Sequence, residues 1–154
     1  KREFFTTVGK QLDMILPTEA NTSSSSSKLT SIWLSPDEWM VISNEKTEKD
    51  TNKYDFEESL YNSISKNNLG AVIDVTDHFV MLELEGKNIY ELFAFGSPFN
   101  FSEFKEKKGS TTQTLLNNID VIIINKDENL VNLFVRRSFS EHLHSWINDS
   151  ASRL

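Results

Sequence analysis

Three histidines, His78, His142 and His144, are the metal-competent nitrogens of a sequence that has no cysteine. A transition metal held by imidazole needs ligands that converge on one point. His142 and His144 stand two apart in a segment that reads as a helix, roughly 200° round its axis, so one ion cannot be held by both from a single face. A strand would put both on one side, but a Ser138-x-x-Glu141 capping box argues for helix. Exposed or interface-lining imidazoles are the expectation, with His78 solvated or capping at a strand start. Asp37 and Glu38 are adjacent carboxylates of the type that does acid and base work. Neighbours in a turn diverge, however, and nothing implies a desolvating pocket, so turn solvation is the preferred reading. Asp74 and Asp77 flank Thr76 between two strand-like runs, where short polar side chains make turns. No Gly-x-Ser-x-Gly elbow occurs, and the five glycines, Gly9, Gly70, Gly86, Gly96 and Gly109, are too scattered for a phosphate-binding loop. Arg136 and Arg137 precede the last capping box. A cation ahead of a helix N-terminus opposes its dipole, so Arg137 is expected to pair with a carboxylate or carbonyl elsewhere in the chain, or with a partner.

Composition narrows the class. The chain has 154 residues, a formal net charge of −7, 38% hydrophobic residues and eleven phenylalanines. A chain of this size buries about 70% of its unfolded surface, enough for one domain or two small fused lobes. The acidic balance repels phosphate, which argues against nucleic acid and anionic membrane as partners. No apolar run reaches the roughly 18 residues of a membrane span, and the first sixteen residues are too polar in their middle for a signal sequence. Without cysteine there is no disulfide, no thiolate zinc site and no cysteine nucleophile, which suits a reducing cytosol; a cytoplasmic location is expected.

These residues must be positioned by elements legible in the apolar spacing. Phe4, Val8, Leu12 and Ile15 recur at helical intervals, predicting an amphipathic helix over residues 3–16 that Pro17 ends. Residues 1–17 are therefore set apart as an N-terminal helix, 18–27 as a serine-rich connector that buries nothing, and 28–150 as the main α+β domain. Residues 29–34 and 39–43 form a hairpin through Ser35-Pro36-Asp37-Glu38, whose proline presets one backbone angle and whose polar residues keep the tip wet. Trp33 and Trp39 flank this turn, and rings of that size either roof a core or face a partner. Residues 44–53 read as a charged loop. A capping-box-like Asp55-x-x-Glu58 starts a helix with Phe56, Leu60, Tyr61 and Ile64 on one face, and Asn67, Asn68 and Gly70 supply a left-handed stop. Residues 71–75 and 78–84 read as strands. A short helix around Ile89, Leu92 and Phe93 closes at Gly96 and Pro98, and the loop 97–104, with Phe99 and Phe101, should pack on a core or a partner. Runs at 111–116, 121–124 and 130–135 favour strands, and a helix with Phe139, Leu143, Trp146 and Ile147 on its apolar face closes the chain. The order predicts an α+β fold of two ferredoxin-like βαβ lobes.

The segments Trp33-Leu34-x-Pro36-Asp37-Glu38-Trp39, Ala71-Val72-Ile73-Asp74-Val75-Thr76, Leu82-x-Leu84-x-Gly86, Glu91-Leu92-Phe93-Ala94 with Gly96 and Pro98, Gln113-Thr114-Leu115-Leu116, and Val135-x-Arg137-Ser138-Phe139 occur in that order. As a set they resemble the gamma subunit of heterotetrameric sarcosine oxidase, a relative of the folate-binding glycine-cleavage T-protein fold. The resemblance spans roughly residues 29–147. It departs at Ser35, where a small residue is usual, and at Thr112, where a cysteine is often found. It implies a non-catalytic assembly subunit of a complex that oxidatively demethylates sarcosine to glycine, with alpha, beta and delta subunits as partners. FAD, FMN, NAD, zinc and tetrahydrofolate would then sit on those other subunits, leaving this chain no catalytic residue, cofactor or metal. Expected partner contacts are Trp33, Pro36, Asp37, Glu38, Trp39, Phe99, Phe101 and Arg137. Two alternatives remain open. One is a free-standing folate-binding or aminomethyl-transfer domain, with Asp74 or Glu83 facing the pterin; the other is a subunit of a related N-methyl amino-acid dehydrogenase.

Overall fold

The computed structural model describes residues 1–44 and 55–154, so the charged loop expected at 44–53 lies, apart from Asn44, outside the described residues. Two stretches of chain, Lys1–Asp74 and Val75–Leu154, form separate compact units.

In the first unit, α1 (Arg2–Leu12) buries Val8 and Leu12 on the face that the apolar spacing defines. It stops at Leu12 and not at Leu16, because Asp13 turns left-handed at φ 50° and the Met14 N–H donates to the Gly9 carbonyl at 3.3 Å. Leu16 is still buried, but Ile15, expected on the apolar face, is 84% exposed. The serine tract corrects a second expectation: it supplies β1 (Ser23–Ser25), the edge of an antiparallel sheet ordered β1-β2-β3 with β2 (Leu29–Ser35) and β3 (Glu38–Ser43). Serine hydroxyls make this possible by bonding the backbone locally. The Ser26 Oγ accepts from the Leu29 N–H at 3.1 Å, closing the tight β1–β2 turn. α2 (Asp55–Leu60) passes directly into a π turn at Tyr61–Ser65, where a single α-helix was expected. Leu60 and Ile64 stay buried, Tyr61 does not, and the side chain of the capping candidate Asp55 falls outside the described residues. The left-handed stop is Asn68, at φ 56°. The core of this unit is Val8, Leu12, Leu16, Leu29, Leu60 and Ile64.

Residues 71–75, expected as a strand, carry no strand pairing. A β-favouring sequence becomes a strand only where a neighbouring edge accepts its hydrogen bonds. Here the Val72 N–H donates to the Ser65 Oγ at 3.1 Å, and Ile73 is 76% exposed.

The second unit is built on an antiparallel sheet ordered β4-β7-β6-β5, from β4 (Phe79–Glu85), β5 (Thr111–Leu116), β6 (Ile119–Asp127) and β7 (Leu130–Arg136). The register sets Leu82 opposite Leu133 and Ile123 opposite Leu133 and Thr112, so alternate apolar residues share one face. Helices α3 (Ile89–Ala94), α4 (Ser102–Glu106) and α5 (Ser140–Ala151) add Phe93, Phe104 and Leu143 to the core on that face. The capping box predicted at Ser138 does not form. The Arg137 N–H donates to the His78 carbonyl at 2.9 Å, extending the β4–β7 ladder, and Arg137–Phe139 leaves the sheet as a 3-10 turn. α5 therefore starts at Ser140 and leaves Phe139 exposed. Each unit is thus an antiparallel sheet with helices, an α+β architecture that agrees with the two ferredoxin-like lobes read from the sequence.

Candidate functional site

The β2–β3 turn holds Pro36 and Asp37 between strands that pair Trp33 with Trp39 and Ser35 with Glu38. The Ser35 Oγ donates to the Asp37 Oδ1 at 2.7 Å, which fixes the tip without a partner. Pro36, Asp37 and Glu38 are exposed, and no desolvating wall surrounds the two carboxylates. The tryptophans behind them are half buried. Trp39 lies 5.6 Å from Phe4 and 5.3 Å from Phe5, centroid to centroid, and its indole N–H donates to the Pro17 carbonyl at 2.7 Å. Both the ring and its polar handle are therefore engaged within the first unit.

In the second unit Arg137 also finds an intramolecular partner. Its Nε donates to the Asp77 carbonyl at 2.8 Å, while Nη2 stands 3.9 Å from the Asp77 carboxylate. The Arg137 side chain stays 60% exposed, so the ion pair contributes little and the guanidinium keeps free donors. The phenylalanine loop turns inward: Phe101 is 7% exposed, packed 5.1 Å from Phe93 and 5.3 Å from Phe104, and Phe99 is half buried at 4.8 Å from Phe101. Asp74 and Glu83, the pterin candidates, are both exposed. Asp74 belongs to the first unit and Glu83 to the outer face of β4 in the second.

The histidines form no ligand set. His142 Nε2 lies 3.3 Å from the Asn117 amide and His144 Nδ1 lies 3.4 Å from that of Asn148. Among the described residues no three His, Asp or Glu side chains gather where a metal could bind, and no helix is long and apolar enough to cross a membrane. Two groups have shifted ionisation. Burial raises the Tyr90 phenol above its ordinary value. The Glu128 N–H, reinforced by Lys108 at 3.3 Å, lowers the exposed Asp127 carboxyl.

The family described as sarcosine oxidase, gamma subunit matches residues 2–153. This chain belongs to that family. A solved structure described as heterotetrameric sarcosine oxidase from Corynebacterium sp. U-96 in complex with pyrrole 2-carboxylate has a similar fold, with a TM-score of 0.85 and 21% identity over 98% of this chain and 74% of that one. No curated protein matches the chain.

Within this gamma-family chain, the sequence reading passed over Asn125. Its buried amide donates to the carbonyls of Phe104 at 2.9 Å, Lys105 at 3.3 Å and Lys107 at 3.2 Å, closing the C-terminal end of α4 against β6. The signal was one polar residue ending the run Val121-Ile122-Ile123-Ile124. Gly96 was read only as a helix stop. A Cβ there would sit 2.7 Å from the Trp146 ring, so the glycine is also required for close packing.

Proposed function

We propose that this chain is a non-catalytic assembly subunit of a heterotetrameric sarcosine-oxidase-type complex. Oxidative demethylation of sarcosine to glycine, and the cofactors it needs, belong in this reading to alpha, beta and delta partner subunits in the cytoplasm. The observation that carries it is the family match over residues 2–153. The geometry supports it by offering surfaces in place of reactive groups: the exposed tip at Pro36, Asp37 and Glu38, and the exposed guanidinium of Arg137. Trp33 and Trp39 act in this scheme as the scaffold behind the hairpin tip, while Phe99 and Phe101 pack within the second unit. The folate-binding alternative is less favoured, because Asp74 and Glu83 are solvated where a pterin site needs a shielded carboxylate.

Co-expression with the chains encoded beside it, followed by affinity capture and size exclusion, tests the reading. Stoichiometric co-elution with a flavin-containing chain is expected, with a charge-reversed Asp37→Lys/Glu38→Lys/Arg137→Glu variant captured less well. A chain that elutes alone overturns the assembly reading, and saturable binding of tetrahydrofolate to the isolated chain would favour the alternative.

A further inference from the structure

β4 is an edge strand; among the described residues it pairs with β7 and with no strand on its other side. The register decides which of its backbone groups are left over. The Gly86 N–H donates to the Asn129 carbonyl and the Arg137 N–H to the His78 carbonyl, each at 2.9 Å. Hydrogen-bonded pairs of an antiparallel ladder alternate, so Val80, Leu82 and Leu84 bond β7 while the amides and carbonyls of Met81, Glu83 and Glu85 point away from the sheet. A groove of about 660 Å³ follows this edge. Its far wall is α5, through His144, Ile147, Asn148 and Ala151, whose spacing puts them on one helix face. An unpaired strand beside a helix wall is the arrangement that receives an extended peptide as an added strand.

We propose that this groove binds an extended polypeptide segment of alternating apolar and basic residues by strand addition to β4. Side chains of the added strand on the helix side meet Leu82, Leu84, Ile147 and Ala151. Those on the other side lie across from Glu83 and Glu85, both exposed, where lysine or arginine is attracted and acidic residues are repelled. Pairing β4 with a second copy of itself about its centre, Leu82, sets Glu83 opposite Met81 and Glu85 opposite Phe79, so a second copy brings no counter-charge to either glutamate. Charge thus selects the occupant. The proposal stands independently of which protein supplies the segment and of the assembly reading above.

The test uses the isolated full chain and a labelled seven-residue peptide of alternating valine and lysine, matched to the seven residues of β4. Anisotropy measures affinity, and amide hydrogen exchange locates the contact. Saturable binding that slows exchange at Met81, Glu83 and Glu85 is expected. The Glu83→Lys/Glu85→Lys variant should bind the peptide about tenfold more weakly and gain affinity for the valine–glutamate counterpart. Two control peptides, N-methylated on one or the other set of alternate residues, keep the charge and remove backbone donors; one of them should lose binding. Equal binding by both, absence of protection at those three amides, or no binding of the valine–lysine peptide overturns the proposal. None of these outcomes depends on co-elution with another subunit.

Discussion

The β2–β3 hairpin and the loop at residues 97–104 both carry large aromatic rings, and they put them to different uses. The loop turns Phe101 and Phe104 into the core of the second unit, half-buries Phe99 and leaves Pro98, Asn100, Ser102 and Glu103 exposed. The hairpin holds Trp39 against α1 while its tip stays polar and wet. Aromatic enrichment therefore does not mark an interface by itself; what matters is whether a ring's neighbours and its polar handle are already supplied by the same unit.

The contrast is broken most sharply at Phe101. Phe101→Ala removes a ring enclosed by Phe93, Phe99 and Phe104 and is expected to cost about 3–5 kcal/mol, read as a shifted urea midpoint at unchanged slope. Stability within about 1 kcal/mol of the parent would show that the loop is not core. Asn125→Ala takes this donor from the Phe104 and Lys105 carbonyls at the end of α4, while the Lys107 carbonyl keeps the Ser110 N–H at 3.1 Å, and should cost about 1–3 kcal/mol, with faster amide exchange in α4 and the loop before it. Trp39→Phe keeps an aromatic ring on α1 but deletes the bond to the Pro17 carbonyl. About 1 kcal/mol should be lost, read as a lowered urea midpoint at unchanged slope.

Glu38→Ala marks the other end of the comparison. At an exposed tip position its effect on thermal unfolding should stay within about 0.5 kcal/mol, even where capture of partner subunits falls. A pH titration adds the smallest effect. Burial raises the folded-state value of the Tyr90 phenol, so the unfolded chain gives up this proton first. Folding is then unaffected below about pH 10 and weakens as pH rises beyond it. Tyr90→Phe should remove that alkaline loss in circular dichroism melts, and no change in the alkaline limb would assign it to other groups.

Much of the fold was legible in the sequence for a physical reason. The alternation Val80-Met81-Leu82-Glu83-Leu84 and the helical spacing of Phe4, Val8 and Leu12 are local patterns that specify a buried face whatever lies opposite. The failures share the opposite character. Residues 71–75 have the composition of a strand, but strand formation depends on an available neighbour, which no local pattern encodes. The serine tract looked like a connector until Thr30, Ser31 and Ile32 offered β1 an edge. Ser138 carried a cap signal, yet the ladder bond from Arg137 to His78 delayed the helix.

The candidate surfaces divide in the same way. Residue types alone excluded thiolate chemistry and made a phosphate loop or nucleophile elbow untenable, because such chemistry needs particular atoms at particular spacings, and those are either present in the chain or not. Only the tertiary structure decided that Phe101 faces inward, that Trp39 is engaged by Pro17, and that the unpaired edge of β4 runs beside α5. Burial and hydrogen-bond satisfaction are properties of pairs of elements far apart in the sequence, so they arise only when the chain has closed on itself.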